Sequence, residues 1–146
     1  MKEKFRSYLN SVGLSSETIM NNVERVYQYA SKLCPEEIND IFVSDFIKEN
    51  GSREYESLWF LSNNYIMEAR NFRNDREYDI DIARYKEWIS YYRTNIKDYD
   101  LVRASSESRV SLECINSDQT TFVLRASREN CDKLVSVIED HLKKNI

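Results

Sequence analysis

Glycine and proline are almost missing from this chain. Its 146 residues include 2 Gly and 1 Pro, where ordinary usage would give roughly a dozen or more of the two together. The shortage excludes collagen-like, Gly-rich and Pro-rich classes. It also speaks against the many tight turns of an all-β sandwich or barrel. Two glycines leave no GxGxxG or Walker-type loop to cradle a phosphate, which speaks against a nucleotide-dependent enzyme.

Other absences narrow the function classes. There is no GxSxG elbow and no HExxH pair, since His141 is the single histidine. Cys131 lies ten positions from His141, about 15 Å along a helix, too far for a Cys–His dyad. His141 itself reads as a surface residue near a helix C-terminus. The three cysteines, Cys34, Cys114 and Cys131, are odd in number and widely spaced, with no CxxC. That pattern does not suit a thiolate zinc site and reads as reduced thiols. No run approaches the roughly 20 apolar residues that span a bilayer. Met1-Lys2-Glu3-Lys4-Phe5 carries no apolar stretch of a signal peptide, so a cytoplasmic location is expected. The net charge is −4, with 21 basic and 25 acidic side chains. A non-specific nucleic-acid binder shows a basic excess instead. Split at residue 75, the halves carry −3 and −1, so neither is a basic arm or an acidic tail.

What is present is 41% hydrophobic, 32% charged and 12% aromatic residues, the balance of a soluble globular chain. Residues 1–74 read as helical. Phe5, Leu9 and Val12 fall at helical spacing before Gly13. Ser15 or Ser16 caps a second helix with the stripe Ile19, Val23, Val26, Tyr27, Ala30 and Leu33, stopped by Pro35. Ser44 or Asp45 caps a short helix with Phe46 and Ile47, ended by Asn50-Gly51. Ser52 opens a long helix with Tyr55, Leu58, Trp59, Tyr65, Ile66, Ala69 and Phe72 on one face. Residues 73–79 are polar and form the best linker.

The second half reads as a helix over 80–96, a strand at 99–104, a hairpin over 109–126, and a helix capped by Ser127. The hairpin rests on alternation: Val110, Leu112 and Cys114, then Phe122, Leu124 and Ala126. The predicted fold is therefore α+β, with two parts. Residues 1–74 form a bundle of about four helices. Residues 75–146 form a helix, a three-stranded antiparallel meander and a C-terminal helix.

Candidate chemistry is sparse. The acid pairs Glu36-Glu37, Asp79 with Asp81, Asp98 with Asp100, and Glu139-Asp140 are what chance gives in a chain with 25 acids. No catalytic residue, metal ligand or cofactor site is assigned. The aromatics carry more information. Tyr85, Trp88, Tyr91 and Tyr92 interleave with Arg84, Lys86, Arg93 and Lys97, and the balance over 84–97 is four basic to one acidic. Such a segment can stack on bases and meet phosphates, can form a protein interface, or can simply pack. Arg70, Arg73, Arg84, Lys86, Tyr91, Arg93 and Lys97 are the candidate partner or nucleic-acid surface.

One resemblance bears on the first half. Phe5-x-x-Tyr8-Leu9, Gly13-Leu14-Ser15-x-x-Thr18-Ile19, Val26-Tyr27-Gln28-Tyr29-Ala30, Glu37-Ile38-Asn39-Asp40-Ile41, Asp45-Phe46-Ile47 and a closing Phe72 are similar to the SAM-like core-binding domain of the phage-integrase (tyrosine recombinase) family. The resemblance covers residues 1–72 and implies a helical bundle that clamps DNA. The family's catalytic His-x-x-Arg element has no match, because His141 is followed by Leu142-Lys143-Lys144, so recombinase activity is not implied. The strands and helix of the second half also look like the closing part of a pleckstrin-homology-like module, with too few strands for a complete one. The reading is a non-enzymatic intracellular module that binds another protein or itself, an exposed strand edge being one place to pair. The alternative is a DNA-binding accessory protein. No membrane and no small-molecule substrate are inferred.

Overall fold

The structure, a computed structural model, describes residues 1–73, 76–101 and 103–146. Two helices open the chain, α1 (Glu3–Ser11) and α2 (Glu17–Leu33). After α1, Gly13 takes a left-handed φ of 93°. This lets the Leu14 N–H return to the Leu9 carbonyl at 2.9 Å, a C-cap that a β-carbon would strain. Ser16 caps α2, its Oγ accepting the Ile19 N–H at 3.3 Å.

Among the described residues seven strands follow, and here the structure departs from the predicted fold. β1 (Asp40–Ile47), β2 (Arg53–Leu61), β3 (Tyr65–Arg70) and β4 (Asp79–Arg84) form one antiparallel sheet in the order β1-β2-β3-β4. A single turn, α3 (Tyr85–Trp88), leads to a second antiparallel sheet. It contains β5 (Tyr91–Lys97), β6 (Arg109–Ile115) and β7 (Thr121–Ser127), in the order β5-β6-β7. The chain closes with α4 (Asn130–Val137), a π-turn over Ile138–Leu142 and a last turn, α5 (Lys143–Asn145). No helix among the described residues is long and apolar enough to cross a membrane.

The predicted bundle of about four helices is thus corrected to two helices and strands. The helix expected after Ser44 is β1, and Asn50-Gly51 is the hairpin turn to β2. Gly51 sits there at φ 86°, and the Lys48 N–H bonds the Ser52 carbonyl at 2.8 Å. The helix expected over 52–72 is the β2–β3 hairpin, turning at Ser62-Asn63-Asn64. The cause of the misreading is burial on both faces. Leu58, Trp59, Phe60 and Leu61 are all buried, so β2 shows no apolar–polar alternation, and its apolar residues also fit a helical stripe. The helix expected over 80–96 is β4, α3 and β5. The strand expected over 99–104 is a lone bridge between Asp100 and Arg103, and Val102 lies outside the described residues. Positions 74 and 75, where a boundary between the halves was expected, also lie outside them.

The chain groups into two compact units, Met1–Val43 with Ser57–Ile82, and Ser44–Glu56 with Ala83–Ile146. In the first, α1 and α2 bury Phe5, Leu9, Val23, Val26 and Ala30. Tyr27 of α2 meets Phe5 and Phe60, with ring centroids 5.9 Å apart in each pair. Phe5, Leu9, Val23 and Val26, all fully buried, each contribute about 1.5–3 kcal/mol. Glu36, one of the acids weighed above, holds the β2–β3 turn. Its Oε1 accepts Ser62 Oγ and the Asn64 N–H, each at 2.6 Å.

In the second unit, β6 and β7 stand where the alternation puts a hairpin. Val110, Leu112 and Cys114 are buried with Leu124 and Ala126, while Arg109, Ser111 and Glu113 are half-buried on the other face. α4 lies against β6 and β7 and buries Cys131, Leu134 and Val137. The π-turn brings His141 and Leu142 inward, so His141 is buried, not on the surface. Burial pushes the Cys114 thiol from its ordinary 9.0 up to about 12. The folded chain therefore keeps a proton that the unfolded chain releases above about pH 9. Stability is expected to fall as pH rises from 9 toward 12, with Cys114 supplying at most about 1.4 kcal/mol per pH unit. Urea unfolding under reducing conditions at pH 8.5 and 10.5 checks this: Cys114→Ala is expected to flatten the decline.

Candidate functional site, an open sheet edge

The second unit contains a fully buried carboxylate, Asp45, on the hairpin end of β1. Its Oδ1 accepts the Ser127 N–H at 3.1 Å and Asn130 Nδ2 at 2.7 Å. Its Oδ2 accepts Arg53 Nε at 2.9 Å and the Ser127 hydroxyl. Both oxygens are thus used in full by the protein. Arg53 in turn donates to Glu129 at 2.6 Å and to the Ser127 carbonyl at 3.3 Å. Its guanidinium is held above the ordinary range, because the bonds to Glu129 and Asp45 outweigh the opposing effect of burial. Ser127 is therefore not the cap of α4 that the sequence suggested. Glu129 stands at the N-cap position and makes no side-chain capping bond, while the Ser127 hydroxyl is spent on Asp45.

A second set of bonds lies beside this one. Ser44 Oγ accepts the Arg125 N–H at 2.8 Å and faces the Arg125 carbonyl at 3.2 Å. Arg125 forks onto Glu56 at 3.0 and 2.6 Å and lies 4.2 Å from the Phe46 ring centre. Its guanidinium is raised by that carboxylate.

These bonds occupy one end of an edge of the three-stranded sheet. The pairs Asn116 N–H to Thr120 carbonyl and Arg128 N–H to Ser108 carbonyl, each 3.0 Å, set the phase of the β6–β7 ladder. With the register Leu112↔Leu124, the even-numbered residues of both strands bond each other. Arg125 and Ser127 then turn their backbone groups outward, to the free side of β7. Ser44, Asp45 and Arg53 satisfy those groups with side chains. The β7 edge is thereby occupied from Arg125 to Ser127.

The opposite edge is different. The odd-numbered residues of β6 face β5, and the register is Asn95↔Ser111 and Arg93↔Glu113. The backbone groups of Tyr91, Arg93, Asn95 and Lys97 therefore turn toward β6. Those of Tyr92, Thr94 and Ile96 turn outward. β5 lies at the end of the strand order, and every residue in it except half-buried Tyr92 is exposed. Tyr91 and Ile96 are 50% and 51% exposed, large values for apolar side chains on a sheet. An uncovered edge with apolar side chains is a ready template for another strand.

The structure sorts the residues singled out from sequence. Tyr91, Arg93 and Lys97 share one face of β5, alternating along the strand, and Arg93 pairs with Glu113 across to β6. Arg84 ends β4 and Lys86 lies on α3, both exposed. Arg70 and Arg73 belong to the first unit. Arg70 bridges to Asp81 at 2.9 Å. Arg73 lies over the Phe72 ring, 5.8 Å from its centre. Of the interleaved aromatics, Tyr85 is buried and Trp88 packs edge-on against Phe122 at 6.0 Å.

Sequence reasoning missed Thr94 as an edge residue and Asp45 as a buried anchor. Tyr-Tyr-Arg-Thr-Asn-Ile-Lys is rich in strand-favouring residues and alternates Tyr92, Thr94 and Ile96, which was the signal available for the first. Nothing local marks the second as buried, because two of its three partners, Ser127 and Asn130, lie 82 and 85 positions away.

A pocket of about 210 Å³ adjoins the anchor, lined by Asp45, Phe46, Asn95, Arg109, Ser111 and Arg125 among others. Its two arginines are engaged. Arg125 holds Glu56, and Arg109 donates to the carbonyls of Ser106 and Ser108 at 3.0 and 2.8 Å. Among the described residues no group of three or more His, Cys, Asp or Glu could hold a metal ion. No protein-family model matches the chain, and no curated protein matches it.

Two expectations follow from the edges. Removing one partner of a buried, hydrogen-bonded ion pair costs about 3–5 kcal/mol. Asp45→Ala should therefore lower the urea midpoint by that equivalent with an unchanged slope. By amide exchange, Tyr92, Thr94 and Ile96 should exchange fast while Arg93 and Asn95 of the same strand are protected.

Proposed function

We propose that this chain is a non-enzymatic protein-interaction module, and that it takes an extended segment of a partner as an added strand along β5. The observation that carries the reading is the asymmetry of the three-stranded sheet. The β7 edge has its outward groups at Arg125 and Ser127 occupied by Ser44, Asp45 and Arg53, whereas β5 offers those of Tyr92, Thr94 and Ile96 along its whole length. Strand addition draws its affinity from such main-chain bonds and its specificity from alternate side chains. Here those are Tyr92, Thr94 and Ile96 on one face and Tyr91, Arg93, Asn95 and Lys97 on the other.

The charged residues shape the choice of partner. Cations on an edge strand resist indiscriminate pairing, so the incoming strand must place acidic or neutral residues opposite Arg93 and Lys97. Support for the nucleic-acid alternative is weaker, because Arg93 and Arg125 are each neutralised by a carboxylate, Glu113 and Glu56.

The test is selection from a displayed library of extended peptides against the full chain. The expected outcome is binders that protect the Tyr92, Thr94 and Ile96 amides from exchange and are lost with Thr94→Pro, which removes an outward donor and leaves the β6 ladder intact. Binders indifferent to that substitution, or mapped by exchange to another surface, overturn the reading.

A further inference from the structure

Resting on the edge-strand reading, we infer that the partner strand is β5 of a second copy, paired antiparallel about a two-fold axis through Thr94. The argument is one of register. Only residues with outward backbone groups can form the close hydrogen-bonded pairs of an antiparallel ladder. Tyr92, Thr94 and Ile96 must therefore pair among themselves. With Thr94 opposite Thr94 of the second copy, Tyr92 meets Ile96 in both directions, and each of these three pairs makes two main-chain bonds.

The side chains agree with that register. On the α4 side, Tyr92 against Ile96 is an aromatic–β-branched pair, which covers the half-exposed Ile96. On the other side, Tyr91 stands opposite Lys97 and Arg93 opposite Asn95. No like charges face each other directly, and Arg93 carries its own Glu113.

The alternatives that keep the same hydrogen-bond phase fare worse. A shift of one phase step in one direction sets Arg93 opposite Arg93. The same shift in the other direction sets Arg93 opposite Lys97, twice. Like charges directly opposite are destabilising. Steps further out pair fewer residues of the strand. The sequence Tyr-Tyr-Arg-Thr-Asn-Ile-Lys is thus complementary to itself in one antiparallel register that uses all seven residues.

A single strand pair makes a small interface, and small interfaces are weak and transient. The dimer should therefore appear with concentration. Sedimentation equilibrium of the full chain, from about 10 to 500 μM to span such weak affinities, should show a monomer–dimer equilibrium. Thr94→Pro should weaken it at least tenfold while circular dichroism is unchanged. Thr94→Cys supplies an independent arm that needs no helix- or sheet-breaking residue. Its two sulfurs would meet across a close pair about 5.5 Å apart at Cα, which suits a disulfide. The native cysteines are buried. Mild oxidation should link Thr94→Cys chains into covalent dimers and leave Lys97→Cys largely unlinked.

A strict monomer up to 500 μM, a dimer untouched by Thr94→Pro, or equal linking at both cysteine positions would each overturn self-pairing. If the chain is monomeric yet selected peptides still protect the β5 amides, self-pairing fails and the interaction-module reading stands. If neither occurs, both fail.

Discussion

The second unit is organised by the burial of one negative charge. Asp45 has no exposure to solvent, and a carboxylate in that position is tolerated only when its oxygens are fully bonded. The bonds come from Arg53 on the neighbouring strand and from Ser127 and Asn130, which lie 82 and 85 positions further along the chain. Meeting that demand fixes where the β1–β2 hairpin end, the end of β7 and the start of α4 stand together. It also explains why Ser127 does not cap α4 and why Arg53 points inward rather than into solvent.

The same cluster makes the two edges of the three-stranded sheet unlike each other. A small sheet has two edges, and both present polar backbone groups that seek partners. Here one edge is satisfied at Arg125 and Ser127 by side chains from within the unit. The other is left to water. An interaction site of this kind needs no pocket and no catalytic group. It needs a strand held flat by its inner neighbour, and the seven-residue β5–β6 register supplies that.

How far the fold could be read from sequence depended on whether each element was buried on one face or two. α1, α2 and the β6–β7 hairpin have one wet face, so their periods of 3.6 and 2 are visible. The last four residues of β2 are buried on both faces, and Leu58-Trp59-Phe60-Leu61 carries no period at all. Asn50-Gly51 was correctly a stop signal, but a stop for a helix and a turn for a hairpin use the same two residues. Ser62-Asn63-Asn64 was a second turn signal, hidden inside an apparent helical stripe. For the candidate site, Tyr91, Arg93 and Lys97 were legible as an aromatic and basic group. Their alternation on a strand was not, because Tyr85 and Trp88 extended the pattern into a false helix. Asp45 was illegible in principle, since its role exists only once distant segments meet.

The capped β7 edge has a consequence for how large an assembly can become. A sheet with two usable edges can add strands without limit, as filaments do. Here the second edge is taken at Arg125 and Ser127 by Ser44, Asp45 and Arg53, so no further strand can pair along the whole of β7. The buried carboxylate that holds the unit together also takes, at Ser127, a main-chain donor that a strand running the length of β7 would need.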